Sequence, residues 1–322
     1  FLPFRVYRWT QNSLIMGDVT LNTGAQLLIE GNSRLELYGQ ITCIGSIGYW
    51  KVTTADNIYS TQKVESITRY DNFGVKSLHA PSQITNMICD YSNNGVSVEN
   101  QTLNISNSII RNTLSTSLTL RNSSTDLNRL LLYNSGYRGI TSYSTANMSY
   151  SLLVNNKEGL MMHEAIGNIS NSYFYGSERA VRTFMQPSTF ENNCFDRNST
   201  ALAPCASSPI IRYNNFYDNG RDVEMNRYGQ FGIYQYCNPV IEYNNHWGNK
   251  YYYHLVGSSS LQGDGYIPTP GVISDQTYPY NYFLASSLTY RIYDGNNPNA
   301  NISWIVYTPY RRTIPEQNAG IN

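Results

Sequence analysis

Ile105-Ser-Asn-Ser-Ile-Ile-Arg-Asn112 returns 22 residues later as Leu127-Asn-Arg-Leu-Leu-Leu-Tyr-Asn134, and 21 after that as Met148-Ser-Tyr-Ser-Leu-Leu-Val-Asn155. The same phase continues through Ile169-Ser-Asn-Ser-Tyr-Phe-Tyr-Gly176, Phe190-Glu-Asn-Asn-Cys-Phe-Asp-Arg197, Ile211-Arg-Tyr-Asn-Asn-Phe-Tyr-Asp218 and Ile241-Glu-Tyr-Asn-Asn-His-Trp-Gly248. Upstream, Val64 and Ile84 extend the series. A second apolar series, Val75, Val96, Leu118, Ile140, Leu160, Val181, Leu202 and Val223, recurs at steps of 20 to 22. Two phased apolar series at one period define a repeat.

Each repeat holds short apolar runs in period-two alternation, separated by Asn, Ser and Gly. No 3.6-residue stripe and no fixed leucine frame is present, so helical hairpins and leucine-rich repeats are excluded. Three short strands per turn of about 21 residues predict an all-β parallel solenoid. Asn suits its tight turns, because it tolerates left-handed backbone. Asn193, Asn214 and Asn244 share one position of the repeat and are expected to bond up the stack, as amide ladders do.

These repeats resemble the right-handed parallel β-helix proteins of the pectate-lyase-like superfamily, and most nearly the secreted NosD-like β-helix proteins. The entrance Gly17-Asp-Val-Thr-Leu-Asn-Thr-Gly-Ala-Gln-Leu-Leu-Ile-Glu30, followed by Leu35-Glu-Leu-Tyr-Gly-Gln-Ile41, is similar to that group's first coils. So are the exit segments Asn244-Asn-His-Trp-Gly248, Ile292-Tyr-Asp-Gly295 and Val306-Tyr-Thr-Pro-Tyr310. The resemblance implies a right-handed parallel β-helix and leaves function open, since this fold carries lyases, hydrolases, adhesins and structural parts.

The organisation expected is an N-terminal cap or donor segment over 1–16, a β-helix over 17–250, and an irregular Tyr/Pro/Gly-rich region over 251–322 packing on it. The 30-residue step from Ile211 to Ile241 contains an insertion near Asn226–Tyr236. Phe1, Phe4, Tyr7 and Trp9 make the first segment apolar. It either closes the first coil of its own chain or adds a strand to a neighbour, which would build a homopolymer.

The 322 residues carry 22 basic and 22 acidic side chains, and only 14% are charged, against roughly 25% in an ordinary domain. That balance gives no electrostatic case for nucleic acid. No apolar run reaches the roughly 18 residues of a membrane span. With 38 Asn and 29 Tyr, the surface is expected to be amide- and hydroxyl-rich.

Of five cysteines, Cys194 and Cys205 are the candidate disulfide, with buried thiols as the alternative. Seven sequons, at Asn100, Asn104, Asn122, Asn147, Asn168, Asn198 and Asn301, are glycosylation candidates, with most room expected at Asn100, Asn122 and Asn198.

The column after each rung start ends in Glu191, Arg212 and Glu242, read as a salt-bridge ladder rather than a substrate clamp. His163, Glu164, Arg182, Asp222 and Glu224 form a second charged group. The polygalacturonase pattern, a dense Asp cluster, a P-loop and a dinucleotide fingerprint are absent, so no catalytic set, metal or cofactor is assigned. Three functions remain: an extracellular structural or adhesive protein, which the lack of a catalytic set favours; a carbohydrate-binding module; and a polysaccharide lyase or hydrolase.

Overall fold

In the computed structural model, the residues described are 2–9, 11–30, 35–43, 45–50, 73–76, 82–90 and 92–226. Further on they are 228–230, 233–235, 239–242, 244–247, 251–256, 282–284 and 292–294. Among them every regular element is a strand, and no helix is long and apolar enough to cross a membrane. The chain forms two compact units. Unit 1 comprises Phe1–Asn147 and Ser151–Lys157; unit 2 comprises Met148–Tyr150 and Glu158–Asn322. Each is a parallel solenoid whose turns contribute one strand to each of three faces.

In unit 1 the first face stacks Leu21, Cys43, Ile84, Ile105 and Leu127 in register. The second carries Leu27, and stacks Cys89, Ile110, Leu132 and Leu153 on one another. The third stacks Val96, Leu118 and Ile140. In unit 2 the first face runs Met148, Ile169, Phe190, Ile211 and Ile241. The second runs Phe174, Phe195 and Phe216, and the third Leu160, Val181, Leu202 and Val223. All of these side chains are buried. Alternate residues point outward, as the strand period of two requires.

The turns explain the asparagine content. Asn86, Asn107, Arg129, Tyr150, Asn171, Asn192 and Tyr213 all have positive φ, at the same place in successive coils. A second such column contains Asn112, Asn134, Asn155, Arg197 and Asp218. Among the described residues, half of the non-glycine positions in this conformation are Asn, whose side chain lowers its cost. Other asparagines lie inside. The Asn193 N–H donates to Asn214 Oδ1 at 2.9 Å, and the Asn214 N–H to Asn244 Oδ1 at 2.9 Å. The Nδ2 groups of Asn193, Asn214 and Asn244 donate to the carbonyls of Ile169, Phe190 and Ile211. A parallel ladder joins Asn198 to Asn219. The expected ladder is therefore present, and it satisfies turn N–H groups that would otherwise be buried without partners.

Two steps of the repeat need correction. Ile84 pairs upstream with Cys43, 41 residues earlier, so the regular step to Val64 fails there; Val64 lies outside the described residues. Val75 pairs with Val98, not Val96, because the strands are shifted by two residues, which keeps the same side inward. The segment before residue 17 contributes strands to its own chain. Val6–Trp9 pairs in parallel with Gln26–Glu30 of its own chain, and Ser13–Ile15 with Leu35–Leu37. Beyond residue 250 the pairing continues: Tyr251–Val256 joins Arg221–Asn226, and Tyr282–Leu284 and Ile292–Asp294 join the next strands. The insertion contains an antiparallel pair, Tyr228–Gln230 with Ile233–Gln235.

Cys194 and Cys205 are free thiols. They lie on strands of different faces, one aligned with Tyr173 and Asn215 and the other with Phe184 and Asn226. Burial, then the Asp196 charge, pushes the Cys194 thiol up to about 12; burial pushes Cys205 to about 11. Neither is a reactive thiolate near neutrality. Cys237 lies outside the described residues.

Candidate functional site

Two outward surfaces of unit 2 concentrate chemistry. On the second face, Tyr173–Tyr175 pairs with Cys194–Asp196, and that strand with Asn215–Tyr217. Because Phe174, Phe195 and Phe216 fill the interior, their neighbours must face out. The Tyr173 and Tyr175 rings lie near-parallel, their centroids 6.2 Å apart and their planes 11° from parallel. The Tyr173 hydroxyl donates to Asp196 Oδ2. Arg197 Nε stands 3.6 Å from Asp196 Oδ1, and its Nη1 donates to the Tyr175 hydroxyl at 3.3 Å. Tyr217 follows Tyr175 and Asp196 in register. Burial, then the neighbouring Asp196, raises the Tyr173 phenol above its ordinary range, so it remains a proton donor. The result is a braced aromatic platform with a carboxylate and a guanidinium beside it.

Round the next corner, the third face carries a charged group. Glu158, Arg179, Thr200 and Arg221 align coil by coil. The Glu158 side chain is 4% exposed, and its Oε1 accepts from Arg179 Nη1 and Arg182 Nη1, both at 3.4 Å. The two arginines are 35% and 32% exposed. The Arg182 guanidinium lies 4.5 Å above the Phe184 ring, and the His163 ring lies 5.3 Å from that ring. Met161, Phe184 and Cys205 form an apolar floor. Arg221 Nη1 is 3.2 Å from Glu224 Oε2, to which Thr200 Oγ1 also donates.

The close approach of coils at this corner demands glycine. A Cβ on Gly159 would lie 2.4 Å from the Ala180 carbonyl oxygen.

The sequence-predicted groups are thus partly rearranged. Arg182 and Glu224 belong to this face, with His163 beside them. Glu164 has positive φ in the turn after it. Asp222 is fully buried, and burial lifts its carboxyl well above the usual range although Asn219 donates to it. Glu158, Arg179 and the tyrosine platform escaped the sequence reading. A 21-residue comb through Glu158, Arg179 and Arg221 would have found the first two. Arg212 bonds to Glu191, and Glu242 stands in register with Arg212.

Among the sequons, Asn100 and Asn122 are exposed at positive φ and bonded to each other, Nδ2 of Asn122 donating to Oδ1 of Asn100 at 3.2 Å. Asn104 and Asn168 are exposed, while Asn147 Nδ2 donates to Asp126. Asn198 is 1% exposed, and its Nδ2 donates to the Phe174 carbonyl and Asn219. It cannot carry a glycan in the folded chain, contrary to expectation. Asn301 lies outside the described residues.

The right-handed β-helix sequence pattern matches residues 94–264, just over half of the chain. The chain belongs to the right-handed β-helix family. No curated protein matches this sequence. Among solved structures, the β-helix is similar to full-length tailspike protein 2 of the Escherichia coli O157:H7 bacteriophage CAB120, at TM-score 0.46 and 10% identity over 83% of this chain. It is also similar to a thermostable α-1,3-glucanase catalytic unit from Streptomyces thermodiastaticus, at 0.44 and 12% over 79%, and to an alginate lyase at 0.47 and 9% over 96%. The chain spans 42% of the tailspike, 57% of the glucanase unit and 86% of the lyase.

Proposed function

We propose that this β-helix is an extracellular adhesive or structural protein that binds glycan chains, without cleaving them, on the tyrosine platform of unit 2. The observation that carries this reading is the braced pair of near-parallel Tyr173 and Tyr175 rings with Asp196 and Arg197 at their edge. Flat tyrosine faces suit the C–H face of a pyranose, and the exposed Arg197 guanidinium suits its hydroxyls, while buried Asp196 holds the Tyr173 hydroxyl in place. Against cleavage stands the pairing of the acids. Glu158 and Glu224 are each held by arginine, which ties up the two glutamates that this face could offer to glycoside hydrolysis. A panel of oligosaccharides with product analysis tests the reading. Binding that Tyr173→Ala and Tyr175→Ala weaken, with no new reducing or unsaturated ends, supports it. Turnover overturns it, and so does binding indifferent to both tyrosines.

A second reading, self-association into a homopolymer, is favoured by exposed apolar side chains in unit 1. Leu2, Phe4, Val6, Leu14 and Met16 stand out from the first coil. Tyr7 and Trp9 are half-buried in a strand held by their own chain, and Phe1 is not among the described residues. Light scattering of a chain lacking residues 1–9 separates the outcomes: loss of assembly supports the segment as connector, and unchanged assembly removes it. Glycans at Asn100 or Asn122 belong to the same extracellular reading and are read by intact mass from the native source.

A further inference from the structure

We infer that the third face of unit 2 is a receptor for oxyanions, namely the carboxylate or sulfate groups of an acidic glycan. It is separate from the tyrosine platform. It rests on the glycan-binding reading for the source of the anion, but not for the site itself.

The Glu158 carboxylate, 4% exposed, must be paired, and two guanidinium groups share it. One negative charge therefore answers two positive ones. Arg179 also touches Glu178 at 3.7 Å, but that carboxylate is 52% exposed and sits at the rim. Among the described residues, Arg182 touches no second carboxylate. Of its five N–H donors the bond to Glu158 uses one, and the Phe184 ring fixes its plane. The side chain stays one-third exposed. Its remaining donors thus have a set direction and a path to solvent. That is the condition under which arginine recognises the parallel oxygens of a carboxylate or sulfate. Glu158 positions the arginines, because burial between them fixes its own location. Met161, Phe184 and Cys205 beneath the group lower the local dielectric and strengthen its field.

Arg221 repeats the arrangement two coils on. It aligns with Arg179 through Thr200, pairs with Glu224, and its buried Nε has no hydrogen-bond partner among the described residues. Two coil spacings are roughly 10 Å. A single anion reaches one arginine group only, whereas a chain with repeated charges engages both. Polymers should therefore bind tighter than monomers.

Calorimetry on the full chain at fixed ionic strength tests this with four probes: inorganic sulfate, a neutral oligosaccharide, a uronate oligomer and a sulfated oligomer of equal length. Sulfate should give a saturable heat that Arg182→Gln abolishes. One acidic oligomer should bind at least ~10-fold tighter than the neutral one, and R182Q should erase that preference. Which acidic oligomer wins identifies the source. Tyr175→Ala should weaken all oligomers and leave sulfate binding intact. If no oligomer binds but the sulfate heat remains, the glycan reading fails and the receptor stands. If sulfate gives no saturable heat, or R182Q leaves it unchanged, the receptor is wrong. Circular dichroism checks the variant's fold. Arg182→Lys, which keeps the charge and loses the fork, should fall between native and R182Q; native-like behaviour would replace the oriented receptor by a mere point charge.

Discussion

The second faces of the two units share one backbone plan and present opposite surfaces. In unit 1, Ile88, Ile109, Leu131 and Leu152 stand in register on the outside, with Ile88 46% and Leu152 45% exposed. In unit 2 the outward residues are Tyr173, Tyr175, Cys194, Asp196, Asn215 and Tyr217. The interiors differ too. Unit 1 fills this face with Cys89, Ile110, Leu132 and Leu153, while unit 2 stacks phenylalanines 4.9 and 5.0 Å apart. Offset ring stacks are worth about 0.5–1.5 kcal/mol per pair beyond their area. At the corner before this face, unit 1 satisfies buried N–H groups with Ser hydroxyls, as Met87 N–H does with Ser108 Oγ at 3.1 Å, and unit 2 with Asn amides. The parallel β-coil thus tolerates different inner and outer chemistry, provided each turn's N–H finds an acceptor on the next coil.

The largest test concerns what the units have in common. Leu160 lies between coils and pairs with Val181. Leu160→Asp buries an unpaired carboxylate there. The cost should exceed about 4 kcal/mol, enough to remove the β signal of unit 2 in circular dichroism and open it to protease. A stable L160D variant would mean the column is not core.

The ladders sharpen the contrast. Asn214 accepts the Asn193 N–H and donates to the Phe190 carbonyl and to Asn244 Oδ1. Asn214→Leu leaves several of these buried groups unpaired and should cost roughly 2–4 kcal/mol. Ser108→Ala in unit 1 orphans the Met87 N–H and should cost about 1 kcal/mol. Denaturation midpoints that fall equally would show that the two devices are energetically alike.

A smaller, pH-dependent difference comes from Asp222. Burial raises its carboxyl in the folded chain, so above the ordinary carboxylate range the unfolded chain binds fewer protons than the folded one. Stability therefore falls as pH rises from that range toward the raised folded value. Asp222→Asn retains an acceptor for Asn219 and should raise Tm at pH 7 by roughly 3 °C, about the effect of 1 kcal/mol in a chain of this size. Near pH 3 it should change nothing. An equal gain at both pH values would place the cause in packing rather than ionisation.

The sequence displayed the coil because its signals repeat. The rung series from Ile84 to Ile241, the inward column from Val96 to Val223 and the Asn193–Asn214–Asn244 ladder each depend only on period and residue type. What it hid depends on breaks in period. The 41-residue step from Cys43 to Ile84 lets Val64 imitate a rung, and a two-residue shift places Val75 opposite Val98. Cys194 and Cys205 looked paired because they bracket a short segment, but that segment turns a corner between faces. The candidate sites were only half legible. Arg182 and Glu224 were visible as charges, whereas Glu158 acquires its role through burial, and the tyrosine platform through the Phe174 stack that turns its neighbours outward.

The smallest effect is expected on the first face of unit 2, where Ser149, Ser170, Glu191, Arg212 and Glu242 follow one another in register. Arg212 bonds to Glu191, but their side chains are 40% and 28% exposed, so solvent screens the pair. Exposed pairs of this kind contribute only about 0.2–1 kcal/mol. Arg212→Ala should therefore lower Tm by no more than about 3 °C, less at high salt, and leave glycan binding on the tyrosine platform unchanged. A binding loss with the fold intact would move the recognition surface to this face. A cleavage activity lost with Arg212 would turn the column from a strut into a catalytic group and overturn the non-cleaving reading.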